Sequence, residues 1–420
     1  MAFLKNVSWV GFGTLSGIAI SIVSVPLILK NYSTTEMSYF LFLWTIVGIV
    51  NLSDCGVSRG VSKFVSSHYK VKNIFLYGYT YLGVVFSFLV SGYLLFDNYT
   101  DSQYLENIPD IIRLLGLAIV FISFLTFPLS GYIEGIGGFK ESSISKNICN
   151  MITYGMPVIL SAYQVRIEYV LCLSVLLSRI MFLVQLLYYT IKKNKVAKYF
   201  SKAETSSALD AREFYSFCLS VGAASLLGIA FLYWDRFLAL GCFSGTVLVQ
   251  YVSYSEIIIK SYAIPGILAG VLFQFFSSGA HNGIRTRLMR YLNIKVYVSF
   301  SFFISIVFVF ILYYFNEKIF LILFHAEISN AMKRIFYIVS FFTALNCLTM
   351  IVLTIGQALG NHKKILTMQI ITLPVFALAS YLLIKFQFVE IAFLVWFLRI
   401  PTMLVSISYL NNKKLGETLL

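Results

Sequence analysis

The sequence predicts an all-α polytopic membrane protein with about twelve transmembrane helices in two six-helix lobes around a central cavity. Three observations predict it. Of 420 residues, 59% are apolar and only 12% charged, against about a quarter charged in a soluble domain. The apolar residues fall in runs long enough to span a bilayer, each bounded by charge. Basic residues then collect on alternate sides of those runs. At roughly 20 residues per spanning helix, twelve spans take about 240 positions, which leaves almost nothing for an extramembrane domain.

In chain order the runs cover about residues 7–29, 37–53, 74–96, 111–134, 147–165 and 167–191 in the first half. In the second half they cover about 213–240, 246–276, 296–316, 335–356, 365–384 and 388–410. The fifth run is diluted by Asn150, Thr153 and Gln164 and meets the sixth near Arg166 and Glu168. With the N-terminus inside, 21 of the 32 basic residues fall on the inner side and seven on the outer, so both termini are expected in the cytoplasm. The segment from Asp97 to Asp110 holds four acids and no base and reads as an outer loop. The net charge of +14 thus belongs to inner loops scattered along the chain, which argues against a nucleic-acid partner. The first apolar run lacks a signal-peptide cleavage pattern and is expected to be retained. Cys149, Cys172, Cys218 and Cys347 lie in spans, Cys55 is cytoplasmic and Cys242 lies near the outside, so neither a disulfide nor a CxxC metal site is expected.

The longest inner segment, 192–212, is basic and rich in Ser and Ala, and it divides the chain into an N-terminal lobe (1–191) and a C-terminal lobe with a short cytoplasmic tail (213–420). A repeat supports the division. Glu134-Gly135-Ile136-Gly137-Gly138-Phe139-Lys140 aligns with Gln357-Ala358-Leu359-Gly360-Asn361-His362-Lys363, both after the fourth span of their half. Parallel repeats are a transporter architecture with the substrate near the midplane. Pro26, Pro128, Pro157, Pro265, Pro374 and Pro401 lie in spans, where each removes a hydrogen bond and marks either a cavity-lining bend or a passive kink. Pro265-Gly266 is the best hinge candidate among them.

Catalytic constellations are nearly absent. The four histidines, His68, His281, His325 and His362, fall in loops without metal-ligand spacing, and no nucleophile elbow or phosphate-cradling loop occurs. An enzyme is therefore not expected, nor a cofactor. What remains is a set of ionisable groups inside the bilayer, each costing about 2.5–3.5 kcal/mol on insertion scales and therefore a functional candidate. Arg179 is central in the sixth span, too deep to snorkel; it either pairs with Asp235 or Glu256 or faces a wet cavity where an anion completes the charge balance. Pyrophosphate would suit a guanidinium. Arg236 either binds substrate or snorkels outward, Lys260 either binds substrate or pairs with Glu256 one turn before it, and Arg399 either binds substrate or reaches lipid headgroups. In the inner loop Asp54-Cys55-Gly56-Val57-Ser58-Arg59-Gly60-Val61-Ser62-Lys63, glycines 56 and 60 permit close backbone approach. Arg59 and Lys63 share one face of a short helix, where they would meet a phosphate or a lipid headgroup.

Twelve spans in two lobes, Asp54-Cys55-Gly56 after the second span and glycine-containing inner loops after the fourth and tenth resemble the bacterial oligosaccharide (O-antigen) flippases of the polysaccharide-export branch of the MATE-like transporter superfamily. The resemblance implies translocation of undecaprenyl-pyrophosphate-linked oligosaccharide repeat units from the cytoplasmic to the outer leaflet of the bacterial inner membrane by alternating access. It implies basic residues receiving the pyrophosphate, and an ion gradient as the driving force. Asp235 and Glu256 are the candidates for ion coupling. Membrane lipids and other polysaccharide-assembly proteins are the remaining expected partners. An ion-coupled small-molecule antiporter and a membrane polysaccharide polymerase are the alternatives. The short outer loops and the absence of histidine from the spans oppose the polymerase, and the excess of bases over acids within the spans opposes an antiporter of cations.

Overall fold

The computed structural model describes residues 2–32, 54–67, 71–99, 109–163, 169–200, 210–232, 262–278 and 330–386, with single positions among 36–50, 234–255 and 299–321. Every regular element among the described residues is helical. The first half holds α1 (Ala2–Asn31), α2 (Val57–Ser66), α3 (Val71–Tyr99), α4 (Asp110–Gly135), α5 (Phe139–Asn150), α6 (Met156–Ala162) and α7 (Val170–Phe200). There follow α8 (Ala211–Leu232), α9 (Ala263–Ser278), α10 (Asn330–Ala358) and α11 (His362–Lys385). The segments Val71–Ser91, Asp110–Gly135, Val170–Lys193 and His362–Lys385 are each long and apolar enough to cross a membrane. They fall on the third, fourth, sixth and eleventh predicted spans; the twelfth predicted span lies outside the described residues. Leu76, Val84, Phe88 and Leu89 of α3 are exposed, as a stripe facing lipid requires.

The fifth span differs most from its prediction. Its helix begins at Phe139 rather than near residue 147, because Lys140, Glu141 and Lys146 occupy its first turns and hydropathy marks only the apolar remainder. It is also interrupted. Pro157 lacks the N–H that would meet the Thr153 carbonyl four residues back, and a π turn occupies Met151–Gly155 at this point. The Ser174 hydroxyl of α7 lies 3.1 Å from the Thr153 carbonyl and 2.7 Å from that of Leu171, sharing one proton between them. Around Pro128 in α4, Tyr79 and Ser58 donate to the carbonyls of Leu125 and Phe127, each at 3.2 Å. Backbone groups near these two prolines are thus met by protein hydroxyls.

The chain forms two compact units, Met1–Gly222 and Ala223–Leu420. The predicted linker is partly helical: α7 runs on to Phe200, since Lys and Ala favour helix once it has started. The boundary between the units falls inside α8. In the first unit Ile28, Phe40, Leu43, Ile119, Leu171 and Val175 share a core; in the second Phe231, Phe342 and Phe376 do so, with the Trp234 ring N–H donating to Ser380 at 2.8 Å.

The repeat has a structural basis. At the end of α4, Gly137 takes φ 77°, its N–H bonds to the Glu134 carbonyl (2.9 Å) and the Gly138 N–H bonds to that of Ile133 (2.8 Å). At the end of α10, Gly360 takes φ 91°, with the same two bonds from Gly360 to Gln357 (3.2 Å) and from Asn361 to Gly356 (2.9 Å). Both are Schellman caps, whose left-handed residue favours glycine. The following helices then start at Phe139 and His362, the corresponding positions of the alignment.

Candidate anion site in the first lobe

The inner loop after the second predicted span is built on a turn. Cys55 and Gly56 take φ 51° and 74°, and the Val57 N–H bonds to the Asp54 carbonyl at 3.0 Å, which makes a type I′ turn. The Asp54 carboxylate accepts the Gly56 N–H at 2.9 Å and holds the turn closed. The short helix α2 then enters a tight slot. A methyl on Gly56 would lie 2.5 Å from the Cys218 carbonyl oxygen of α8, and one on Gly135 of α4 would lie 2.9 Å from the Ser62 carbonyl oxygen; a methyl on Gly131 would overlap the Ser58 carbonyl. Small residues spaced by four on α2, α4 and α8 let the three backbones touch, as in membrane helix pairs. Val57 and Val61 turn towards Gly78 of α3.

This packing leaves Arg59 and Lys63 on the remaining face of α2, one turn apart as the sequence predicts. Each has acidic company. Arg59 faces Asp54 and Glu134; burial lowers its pKa and those carboxylates hold it up. Lys63 lies 4.2 Å from the centroid of Phe217 and 5.5 Å from that of Phe64. Burial lowers its pKa too, and Glu213 opposes that. Burial raises the Asp54 carboxyl, against the pull of Arg59 and the Gly56 N–H. Glu134 itself accepts Lys146 at 3.2 Å and the Ser142 hydroxyl at 3.1 Å, while Glu141 pairs with Lys193 at 2.9 Å. Sequence reading missed Glu134 as a partner of Arg59, although it opens the repeated motif; its counterpart in the second unit is the neutral Gln357.

Beside this network the Cys55 thiol is pushed up to about 11 by burial and by the Asp54 charge. Its folded pKa is raised, so the thiol form is favoured at neutral pH. In a variant keeping Cys55 as its one cysteine, alkylation at pH 8 should run roughly a hundredfold slower than for an unburied thiol and climb about tenfold per pH unit towards pH 11. A rate that levels off near pH 9 would contradict this placement.

Arg179 sits within α7, which packs against α4, α5 and the π turn. Its charge acts on Tyr154 of the π turn, a residue the sequence did not single out. At 8% exposure it is the most buried charged residue among those described, and its Nε has no hydrogen-bond partner among them. No carboxylate pairs with it among the described residues. The predicted Arg236, Lys260, Arg399, Asp235 and Glu256 lie outside the described residues. Of the six basic candidates, the structure therefore places Arg179 in the interior of the first unit and Arg59 with Lys63 at the α2 face. No group of His, Cys, Asp and Glu suited to a metal ion occurs among the described residues.

No family model and no curated protein matches the sequence. Solved structures do. An aspartate-to-asparagine mutant of the Vibrio cholerae MATE transporter VcmN superposes with a TM-score of 0.73 at 13% identity, covering 100% of this chain and 98% of that one. The fold is that of a MATE transporter. Such transporters are twelve-helix membrane proteins in two lobes, so the predicted fold class holds for this chain. A multidrug-resistance MATE transporter of the MOP superfamily, in an outward-facing conformation, matches at TM-score 0.63 and 13% identity over 97% of this chain and 96% of its own. A MOP superfamily transporter from Pyrococcus furiosus, whose binding pocket is described as reversed in polarity and suggestive of a different function, matches at TM-score 0.65 and 14% identity over 96% and 93%. These neighbours are transporters, and at 13–14% identity the likeness shows the fold.

Proposed function

We propose that this chain is a flippase that moves undecaprenyl-pyrophosphate-linked oligosaccharide repeat units, of the O-antigen type, from the cytoplasmic to the periplasmic leaflet of the bacterial inner membrane, with both termini in the cytoplasm. The observation that carries the reading is Arg179: a buried cation inside a MATE-fold lobe with no carboxylate partner among the described residues. An uncompensated charge in a low-dielectric interior calls for an anion. Between their end turns the first six predicted spans hold Arg179 and no acid, whereas a cationic cargo would call for the opposite sign. The Pyrococcus neighbour, whose binding pocket is described as reversed in polarity and suggestive of a different function, supports a departure in pocket charge within this fold. The resemblance in the inner-loop motifs supplies the cargo class. A pyrophosphate offers oxygens that guanidinium groups bind bidentately, while the polyprenyl tail stays in lipid.

In this reading Arg236, Lys260 and Arg399 complete the cationic lining, and Arg59 with Lys63 meets the phosphate at the cytoplasmic side. Asp235 and Glu256 couple an ion to the cycle, where each charge moved is worth about 2.3 kcal/mol per 100 mV. Membrane lipids and other polysaccharide-assembly proteins are its partners. The reading is tested by asking in which leaflet lipid-linked oligosaccharide resides once the gene is removed.

A further inference from the structure

The charged face of α2 has no equivalent in the repeat. The alignment that sets Glu134 on Gln357 and Gly137 on Gly360, carried back along the sequence, sets Gly56 and Gly60 on Gly279 and Gly283. The glycines of the slot and of the cap thus recur in the second half. The ions do not: Asp54, Arg59, Lys63 and Glu134 fall on Ser277, Asn282, Thr286 and Gln357, while Arg285 and Arg287 stand in the registers of Ser62 and Phe64. Charges that the repeated framework does without serve something other than the fold.

In the first unit these cations already have carboxylates. Arg59 faces Asp54 and Glu134, and Lys63, one turn on, has Glu213. The acids of Arg59 also keep partners of their own: Asp54 accepts the Gly56 N–H at 2.9 Å, and Glu134 accepts Lys146 at 3.2 Å and the Ser142 hydroxyl at 3.1 Å. Arg59 can therefore exchange them for another anion without stranding an acceptor. A singly charged anion brought to this face only replaces one carboxylate and gains little. An anion with two phosphoryl groups engages Arg59 and Lys63 together, whose Cβ atoms lie about 5–6 Å apart at this spacing, and its second charge is a net gain.

We propose that Asp54 and Glu134 are specificity-determining residues of the cytoplasmic face: they occupy Arg59 so that phosphodiesters of ordinary anionic lipids, with one charge, are refused and a pyrophosphate diester, with two, is admitted. This role rests on the flippase reading, which supplies the pyrophosphate. Bare cations beside a leaflet rich in anionic lipid would be filled by bulk phospholipid. A competitor built into the protein keeps them for the right partner.

Binding of two soluble probes to the purified full chain in detergent tests the role: a short-chain prenyl pyrophosphate carrying one sugar, and a short-chain phosphatidylglycerol, both of constant charge between pH 5 and 8. The natural chain should prefer the pyrophosphate by roughly tenfold or more. Asp54→Asn, whose amide oxygen still accepts the Gly56 N–H, and Glu134→Gln, which places there the residue type the second half carries at Gln357, should fold normally. Both should lose most of the preference by binding phosphatidylglycerol roughly tenfold tighter. Acid should act on the natural chain in the same direction. Burial raises the Asp54 carboxyl against the pull of Arg59, the Gly56 N–H and the Ser58 hydroxyl, and Glu134 of α4 adds to the rise; Cys55, Tyr81 of α3 and Cys218 of α8 are the other titratable groups around it. Its protonation therefore begins above the usual carboxylate range, and phosphatidylglycerol binding should climb as pH falls from 8 to 5, less so in Asp54→Asn. A preference unchanged in both variants and across that pH range, with the pyrophosphate still bound, would overturn this role alone. No binding of the pyrophosphate by the natural chain would overturn the flippase reading, and this role with it.

Discussion

Replacing Arg179 by Ala should abolish polysaccharide export while the protein remains inserted at its normal abundance. A truncated partner of a buried charge interaction typically costs 2–5 kcal/mol, which is about a thirty- to several-thousandfold loss of affinity for an anionic head group. The side chain makes no ion pair with a described carboxylate, so its removal strands no mapped counter-charge inside the lobe. Folding should therefore survive where transport does not. Surface polysaccharide measured in a deletion strain carrying the variant, with membrane abundance measured in parallel, checks both halves of the expectation. Arg179→Lys should recover only part of the export, since an ammonium keeps the charge and loses the bidentate fork. Normal export with Arg179→Ala would remove the residue from the transport mechanism.

The second large effect is expected where α2 is wedged between α4 and α8. Gly131→Val should cost about 3 kcal/mol or more, because its side chain would collide with the backbone at Ser58, and backbone cannot yield as a flexible side chain does. Gly56→Val should be at least as damaging, combining a 2.5 Å approach to the Cys218 carbonyl with φ 74°, which a β-branched residue strongly disfavours. Gly83→Ala on α3, where a methyl would meet nothing within 4 Å, should leave stability unchanged or slightly improved. Thermal melting and the monodisperse fraction of purified protein distinguish these cases. A Gly131→Val protein as stable as the natural chain would show that the three backbones do not pack this closely.

The third, fourth, sixth and eleventh spans were legible because a bilayer demands long apolar runs, and that demand acts on each helix separately. The repeat was legible for a related reason: a Schellman cap needs a left-handed residue, so Gly137 and Gly360 mark the ends of α4 and α10 however far the surrounding residues have diverged. The glycines at 56 and 60 announced a close approach, but not to which helix. Their partners Cys218 and Gly222, like Gly131 and Gly135 opposite Ser58 and Ser62, lie far along the chain, and no local period links them. The start of α5 was missed because its first turns are charged, and the π turn because Pro157 reveals a broken ladder without revealing how it is repaired. At the candidate site, the isolation of Arg179 from acids in its own helix was visible in the sequence. Its proximity to Tyr154 was not, and neither was the carboxylate company of Arg59, because both arise from packing between elements.

The central claim is that this chain carries lipid-linked oligosaccharide across the membrane, and the leaflet in which that lipid resides after deletion of the gene tests it most directly. Undecaprenyl-pyrophosphate-linked repeat units should accumulate in the cytoplasmic leaflet, protected from a reagent or enzyme confined to the periplasm, while surface polymer disappears and returns with the natural gene. Unchanged surface polysaccharide, or repeat units still reaching the outer leaflet without the chain, would contradict the claim.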